Sequence, residues 1–126
     1  MTDLYKYTDV NELKYKDFNI NKKKITINKN NLNNKYGILI FYRPDCKHCQ
    51  DTVFLWGQLA SDFKNFNIMS YNVNDFDSGN DKLREYISIP SFPTIKYITK
   101  TGTMQKFDEK ITYDNLFFFI CNKLKC

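Results

Sequence analysis

The sequence predicts an α/β fold, a central mixed β-sheet flanked by helices on both faces. Three observations point there. Tyr36-Gly37-Ile38-Leu39-Ile40-Phe41-Tyr42 is apolar without alternation, the pattern of a strand buried on both faces inside a parallel sheet. After Pro44, Val53, Trp56, Ala60 and Phe63 recur at helical spacing, widened by Phe54, Leu55 and Leu59. Near the C-terminus, Thr101-Gly102 separates two short strand-like runs, and a last apolar helix follows.

Residues 1–24 are polar with scattered Leu4, Tyr5, Tyr7, Val10, Leu13, Tyr15 and Phe18. They are expected to form an N-terminal extension of marginal local structure, leaving residues 25–126 as one domain. Lys22-Lys23-Lys24 reads as a solvated edge or turn, with an anionic docking patch as the alternative. Ile25-Thr26-Ile27 is a β-branched strand, and the Asn-rich stretch 28–34 supplies a turn or one helical turn. The strand 36–42 feeds the helix opened by Asp45-Cys46-Lys47-His48-Cys49. Gly57 costs that helix about 1 kcal/mol, so close packing or a kink is expected there. Phe66 to Val73 is the next strand, 74–80 a turn cluster, and Lys82 to Ile87 a short helix. A strand runs through Ile95, Tyr97 and Ile98, with its return over Thr103 to Phe107. Thr112 opens the final helix through Leu116, Phe117, Ile120 and Leu124. A βαβ unit followed by ββα gives a mixed sheet.

Composition removes several classes. The chain has 126 residues, 42% apolar and 17% aromatic, enough to bury one core and too aromatic to be disordered. Four Cys are too few for a secreted disulfide scaffold. No stretch approaches the ~20 apolar residues of a membrane span. The net charge is +5, but only Arg43 and Arg84 are arginines and the Lys are scattered. That argues against nucleic acid as a partner. The four Gly form neither a phosphate loop nor a dinucleotide fingerprint, so no bound cofactor is expected. Met1-Thr2-Asp3-Leu4-Tyr5-Lys6 carries no apolar signal core. A cytoplasmic location is expected, where a persistent Cys pair is more often catalytic than structural. The Lys, Asn and Ile richness fits an AT-rich coding sequence, and a large DNA virus as source would allow a place in the virion.

The chemistry sits in Cys46-Lys47-His48-Cys49. The spacing places both sulfurs at the start of a helix, close enough for a disulfide after small adjustment. Unpaired N–H groups and the positive end of the helix dipole favour thiolate at Cys46. Cys49, one turn deeper, suits a resolving thiol. Cys46 would attack a substrate disulfide, and Cys49 would then attack the mixed disulfide. A lone CxxC is also a zinc half-site. Cys46, Cys49, Cys121 and Cys126 could supply four ligands, but the pair opens a long amphipathic helix where a zinc knuckle needs a tight turn. An inert pair is the third alternative.

The segment from Gly37 to Leu59 resembles the active-site region of thioredoxin-fold oxidoreductases. Tyr42-Arg43-Pro44-Asp45-Cys46-Lys47-His48-Cys49 looks like the protein disulfide isomerase version, in which His precedes the second Cys. Ser91-Phe92-Pro93-Thr94 is similar to that family's cis-proline loop. The resemblance spans residues 25–124 and implies a thioredoxin-like fold. It also implies a cis Phe92–Pro93 bond against the cysteine pair, with backbone there holding an extended substrate. This chain departs from the pattern at three positions. Ile40 stands where the family has a buried acid, Asp45 where an aromatic precedes the first Cys, and Gln50 where Lys follows the second. Loss of the acid should slow deprotonation of Cys49. Asp45 opposes a thiolate at Cys46, whereas Lys47, His48 and Arg43 favour it. His48 and Lys47 are therefore expected to tune the potential, placing it between thioredoxin and protein disulfide isomerase and nearer the latter.

The expected function is thiol–disulfide exchange on protein disulfides, more oxidising than thioredoxin. The partners would be disulfide-containing or dithiol proteins, with a protein reductase, a sulfhydryl oxidase or glutathione as electron partner. The alternatives are a non-catalytic binding or scaffold module of the same fold and a glutathione-dependent, glutaredoxin-like enzyme. Cys121 reads as a buried inert thiol, with Cys121 and Cys126 as a second redox pair the alternative. Trp56 reads as core. At least one of Phe117, Phe118 and Phe119 must face solvent.

Overall fold

The computed structural model describes residues 4–6, 8–21, 24–33, 35–77 and 79–124. In chain order these form β1 (Asn11–Glu12), β2 (Phe18–Asn21), β3 (Lys24–Ile27), α1 (Lys29–Leu32), β4 (Tyr36–Tyr42) and α2 (Lys47–Phe63). Then come β5 (Ile68–Asn74), β6 (Thr94–Ile98), β7 (Met104–Lys106) and α3 (Tyr113–Leu124). Short 3-10 turns occupy Tyr15–Asp17, Lys64–Phe66 and Asn80–Glu85.

The main sheet has the order β1-β5-β4-β6-β7. β4 runs parallel to β5 and antiparallel to β6, so the mixed sheet expected from the sequence is present. β4 lies at its centre, and Ile38 to Tyr42 are all essentially inaccessible, which explains their unbroken apolarity. Side chains alternate across a strand. Ile38, Ile40 and Tyr42 enter the core beneath α2 and α3 with Trp56, Leu59, Phe63, Leu116 and Ile120. Leu39 and Phe41 enter the opposite core with Leu13, Phe18, Ile27, Leu32 and Leu83. That second face is covered by the β2–β3 hairpin, α1 and the turn at Asn80–Glu85.

The N-terminal segment is more than a marginal extension. Tyr5 and Val10 are buried in the α2-side core, and Leu13 and Phe18 in the other. β1 adds a parallel edge to β5, and Leu13 N–H donates to the Asn72 carbonyl at 2.8 Å. Gly57 explains part of this docking: a Cβ there would meet Thr8 Cγ2 at 3.2 Å, so close packing accounts for the glycine. The apolar residues of this segment follow neither a helical nor a strand period, because each anchors the chain individually.

Two boundaries differ from the sequence reading. β5 starts at Ile68, since Phe66 closes a 3-10 turn and Asn67 adopts the left-handed conformation at φ 58°. The helix expected at Lys82–Ile87 is a 3-10 turn over Asn80–Glu85. Asn80 is tied at both ends, donating to the Asn74 carbonyl at 2.9 Å and accepting from Tyr15 N–H at 2.8 Å. Gly102 closes the β6–β7 hairpin at φ 89°, and a Cβ there would lie 2.7 Å from the Ile27 carbonyl oxygen. Ile27 N–H donates to the Gly102 carbonyl at 3.0 Å, so this turn joins the two sheets and needs glycine on both counts. Lys22 and Lys23 lie outside the described residues.

Candidate active site

Pro44 and Asp45 turn the chain out of the buried strand β4, and Cys46 caps the helix that follows. Cys46 has extended backbone (φ −86°, ψ 121°), and its Sγ accepts the Cys49 N–H at 3.3 Å. The sulfur thus occupies the place of the side-chain oxygen in an ordinary N-cap, where an unpaired N–H of the first turn needs an acceptor. Cys46 N–H donates to the Arg43 carbonyl at 3.1 Å, and Gln50 Nε2 donates to the Pro44 carbonyl at 2.8 Å. Gln50 therefore braces the turn rather than placing a charge beside the pair.

The two cysteines sit in different surroundings. Cys46 is half-buried and Cys49 is fully buried, and both are free thiols. Burial pushes the Cys49 thiol up to about 12, and its hydrogen bond with Cys46 adds to this. The Arg43 backbone pulls the other way, and the charges of Cys46 and Asp45 add smaller upward contributions. Ile40 is 0% exposed in the same core as Cys49, so its position supplies no carboxylate to take a proton. Tyr5 and Tyr42 belong to this core, their rings edge-on at 5.2 Å. Burial raises the Tyr5 hydroxyl well above the usual range, and neighbouring Tyr42 and Cys49 raise it further.

The loop before β6 closes over the pair. The Phe92–Pro93 peptide bond is cis, and the Cys46 thiol donates to the Phe92 carbonyl at 3.5 Å. Thr94 Oγ1 donates to the Ser91 carbonyl at 2.5 Å, holding the loop from the strand side. His48, Asp51, Thr52 and Leu55 of α2 face Ser91, Phe92, Pro93 and Ile111 across a groove of about 350 Å³. His48 is exposed, and its carbonyl accepts from Thr52 Oγ1 at 2.7 Å. Lys47 is also exposed and is held by Asp51 at 2.8 Å, one helical turn on, which raises its pKa. The structure therefore gathers Cys46, Cys49, Lys47, His48, Phe92 and Pro93 at one end of the sheet.

The Arg43 side chain is engaged by an acid and by aromatic rings. Its Nε contacts Asp75 Oδ2 at 3.0 Å, and its guanidinium lies 4.4 Å from the Phe92 ring centroid. Asp75, Phe76 and Arg84 are residues near the site that sequence reasoning missed. The sequence carries no local signal for them, because Arg43 lies far from Asp75 and Arg84 along the chain. Cys121 corrects an expectation: it is half-buried on α3 and disulfide-bonded, not a buried inert thiol. Cys126 lies outside the described residues. Among the described residues, no group of three or more His, Cys, Asp or Glu gathers as a metal site.

A parallel strand leading into a cysteine-capped helix, with a cis-proline loop against it, invites comparison with known proteins. A family model for thioredoxin matches residues 14–122. The J-Trx1 fragment of ERdj5 aligns with TM-score 0.76 at 16% identity, over 98% of this chain and 56% of that one. The first two thioredoxin domains of Saccharomyces cerevisiae Eps1p align with TM-score 0.63 at 27% identity, over 75% of this chain and 37% of that one. Spinach chloroplast thioredoxin f aligns with TM-score 0.70 at 17% identity, over 94% and 95% of the two chains. The chain thus spans roughly half or less of the first two, and nearly all of the third. On the extent of the family match and the fold it shares with these structures, the chain belongs to the thioredoxin family.

Proposed function

We propose that this chain is a thiol–disulfide oxidoreductase acting on protein disulfides, with Cys46 as nucleophile and Cys49 as resolving thiol. One observation carries the reading. A half-exposed sulfur caps a helix, takes the Cys49 N–H at 3.3 Å and lies 3.5 Å from the Phe92 carbonyl, with a fully buried thiol one turn behind it. A helix N-terminus favours an anionic sulfur. The Cys46 thiolate attacks one sulfur of a substrate disulfide, breaking that bond and releasing the other sulfur as a thiolate. Cys49 loses its proton and attacks Cys46 Sγ. The substrate leaves with two electrons gained, and Cys46–Cys49 remains as a disulfide. Run backwards, the same steps oxidise a dithiol substrate.

Phe92 and Pro93 would line an extended substrate beside Cys46. His48 and Lys47 would set the potential by favouring the thiolate, placing it between about −270 mV for thioredoxin and about −180 mV for protein disulfide isomerase. A protein reductase, a sulfhydryl oxidase or glutathione would complete the cycle. A second reading, a binding module of the same fold, is favoured by Ile40, because the buried Cys49 has no carboxylate at that position to deprotonate it.

The test is equilibration in graded glutathione buffers, followed by alkylation and mass spectrometry of the free thiols. A Cys46–Cys49 disulfide titrating above thioredoxin's potential supports the oxidising reading. Titration near thioredoxin's makes the protein a reductase. A pair that stays reduced throughout leaves only the binding module.

A further inference from the structure

Beside Cys46 lies a cluster that the exchange chemistry does not use. The two carboxylate oxygens of Asp75 each receive one arginine: Arg43 Nε on Oδ2 at 3.0 Å and Arg84 Nε on Oδ1 at 3.2 Å. Asp75 is only 6% exposed, whereas the side chains of Arg43 and Arg84 are 34% and 43% exposed. Two guanidiniums share one carboxylate, so the cluster carries an excess positive charge. The contact of each guanidinium with Asp75 runs through Nε. Among the described residues their Nη groups have no other carboxylate, and Asp81 and Glu85 beside Arg84 make no ion pair with it. The Arg43 guanidinium lies over the Phe92 ring at 4.4 Å and over the ring of Phe76, which is 44% exposed, at 5.7 Å.

The cluster is continuous with the cysteine. Phe92 joins them, its ring under Arg43 and its carbonyl 3.5 Å from Cys46 Sγ. A polypeptide whose sulfur meets Cys46 and whose backbone follows Phe92 would reach the Arg43 guanidinium first, with Arg84 on the other carboxylate oxygen of Asp75. A buried Asp75 fixes the arginine stems, so their outer N–H groups are preorganised for a second carboxylate. Bidentate geometry makes arginine suited to that role.

We infer that Arg43 and Arg84, held by Asp75 and Phe92, form a specificity site for an acidic side chain close to the reacting cysteine of a protein substrate. This rests on the exchange reading of Cys46. It adds a charge preference that the cysteine pair and the cis-proline loop do not themselves contain.

The test uses the full chain carrying Cys49→Ser, so that attack by Cys46 stops at the mixed disulfide. Cysteine peptides are supplied as disulfides with thionitrobenzoate, with Glu, Gln or Lys flanking the cysteine. Attack forms the Cys46–peptide bond, breaks the peptide–thionitrobenzoate bond and releases the coloured thiolate, which gives the rate. The Glu peptide should react about fivefold faster than the Gln peptide at low salt, the range of a partly exposed ion pair. The Lys peptide should be slower still, and the differences should shrink at high salt. Arg84→Gln should bring the Glu-to-Gln ratio close to one, and Arg84→Lys should restore part of it. Equal rates for all three peptides would overturn the inference while leaving the exchange reading intact. A preference shown only by the glutathione mixed disulfide would overturn it too, by assigning the carboxylate to glutathione. Release from no peptide would remove the exchange reading and this inference together.

Discussion

The burial of Cys49 makes a kinetic prediction that can be worked through in numbers. The thiol is 0% exposed and rises from an ordinary 9.0 to about 12, chiefly by burial. At neutral pH the thiolate share falls about a thousandfold relative to an unperturbed thiol. Nucleophilicity rises with basicity at a Brønsted slope of about 0.4–0.5, which returns roughly twentyfold. The resolving step should therefore be about fiftyfold slower than with an ordinary thiol, and its rate should climb tenfold per pH unit. A single-turnover reaction with an aromatic disulfide reads this directly. The first thionitrobenzoate is released by Cys46 and the second by Cys49, and Cys49→Ser should abolish only the second. From pH 6 to pH 10 the logarithm of the second rate should rise with unit slope and no inflection. A plateau below pH 9 would refute the reasoning, because it would require a base that takes the Cys49 proton despite Ile40.

Three further outcomes are expected. The reduced protein should lose stability as pH rises above 9, by about 1.4 kcal/mol per pH unit from Cys49, because the unfolded chain releases a proton that the folded chain retains up to about 12. The Cys46–Cys49 disulfide form should lack this contribution between pH 9 and 10, and urea melts of the two forms compare them directly. Gly102→Ala should cost about 2–4 kcal/mol, since it combines φ 89° with a contact of 2.7 Å to the Ile27 carbonyl; a loss under 1 kcal/mol in urea melts would contradict that. His48→Pro should make the pair more reducing by about 30 mV, the equivalent of one charge-assisted contact, and an unchanged potential would remove His48 from the tuning role.

Legibility followed the length of the signal. β4, α2 and the β6–β7 hairpin were readable because burial on both faces, a wide apolar stripe and a turn glycine each leave a local pattern. Cys46, Cys49, Phe92 and Pro93 were readable because two short motifs recur together. The N-terminal segment was not. Tyr5, Val10, Leu13 and Phe18 are buried in two different cores, and β1 has two residues, so no period could form. Arg43 pairs with Asp75, more than 30 positions along the chain. Such a pairing depends on the parallel register of Tyr42 with Asn74, which no local pattern records. Phe117 and Phe119 pack inward against Phe63, Tyr97, Tyr113 and Phe107, while Phe118 is 65% exposed. The helical period required that split, but not which ring would be outside.

In the proposed exchange the site would separate speed from direction, for a thermodynamic reason. At pH 7 a thiol titrating at 9.0 and one titrating at about 12 are both almost wholly protonated. Raising Cys49 between those values changes the free energy of the dithiol by only ~0.01 kcal/mol. In the proposed exchange, the raised titration of Cys49 would therefore slow the resolving step without moving, through ionisation, the equilibrium between dithiol and disulfide. The potential of the proposed exchange would respond instead to whatever stabilises a thiolate at position 46 against the disulfide: the helix N-terminus, the Cys49 N–H at 3.3 Å, the exposed Lys47 and the exposed His48 that lines the groove. His48→Pro should then shift the potential while leaving the unit slope of the second release unchanged. A variant that moved both would show that the two cysteines titrate as one unit, with the hydrogen bond between them as the coupling.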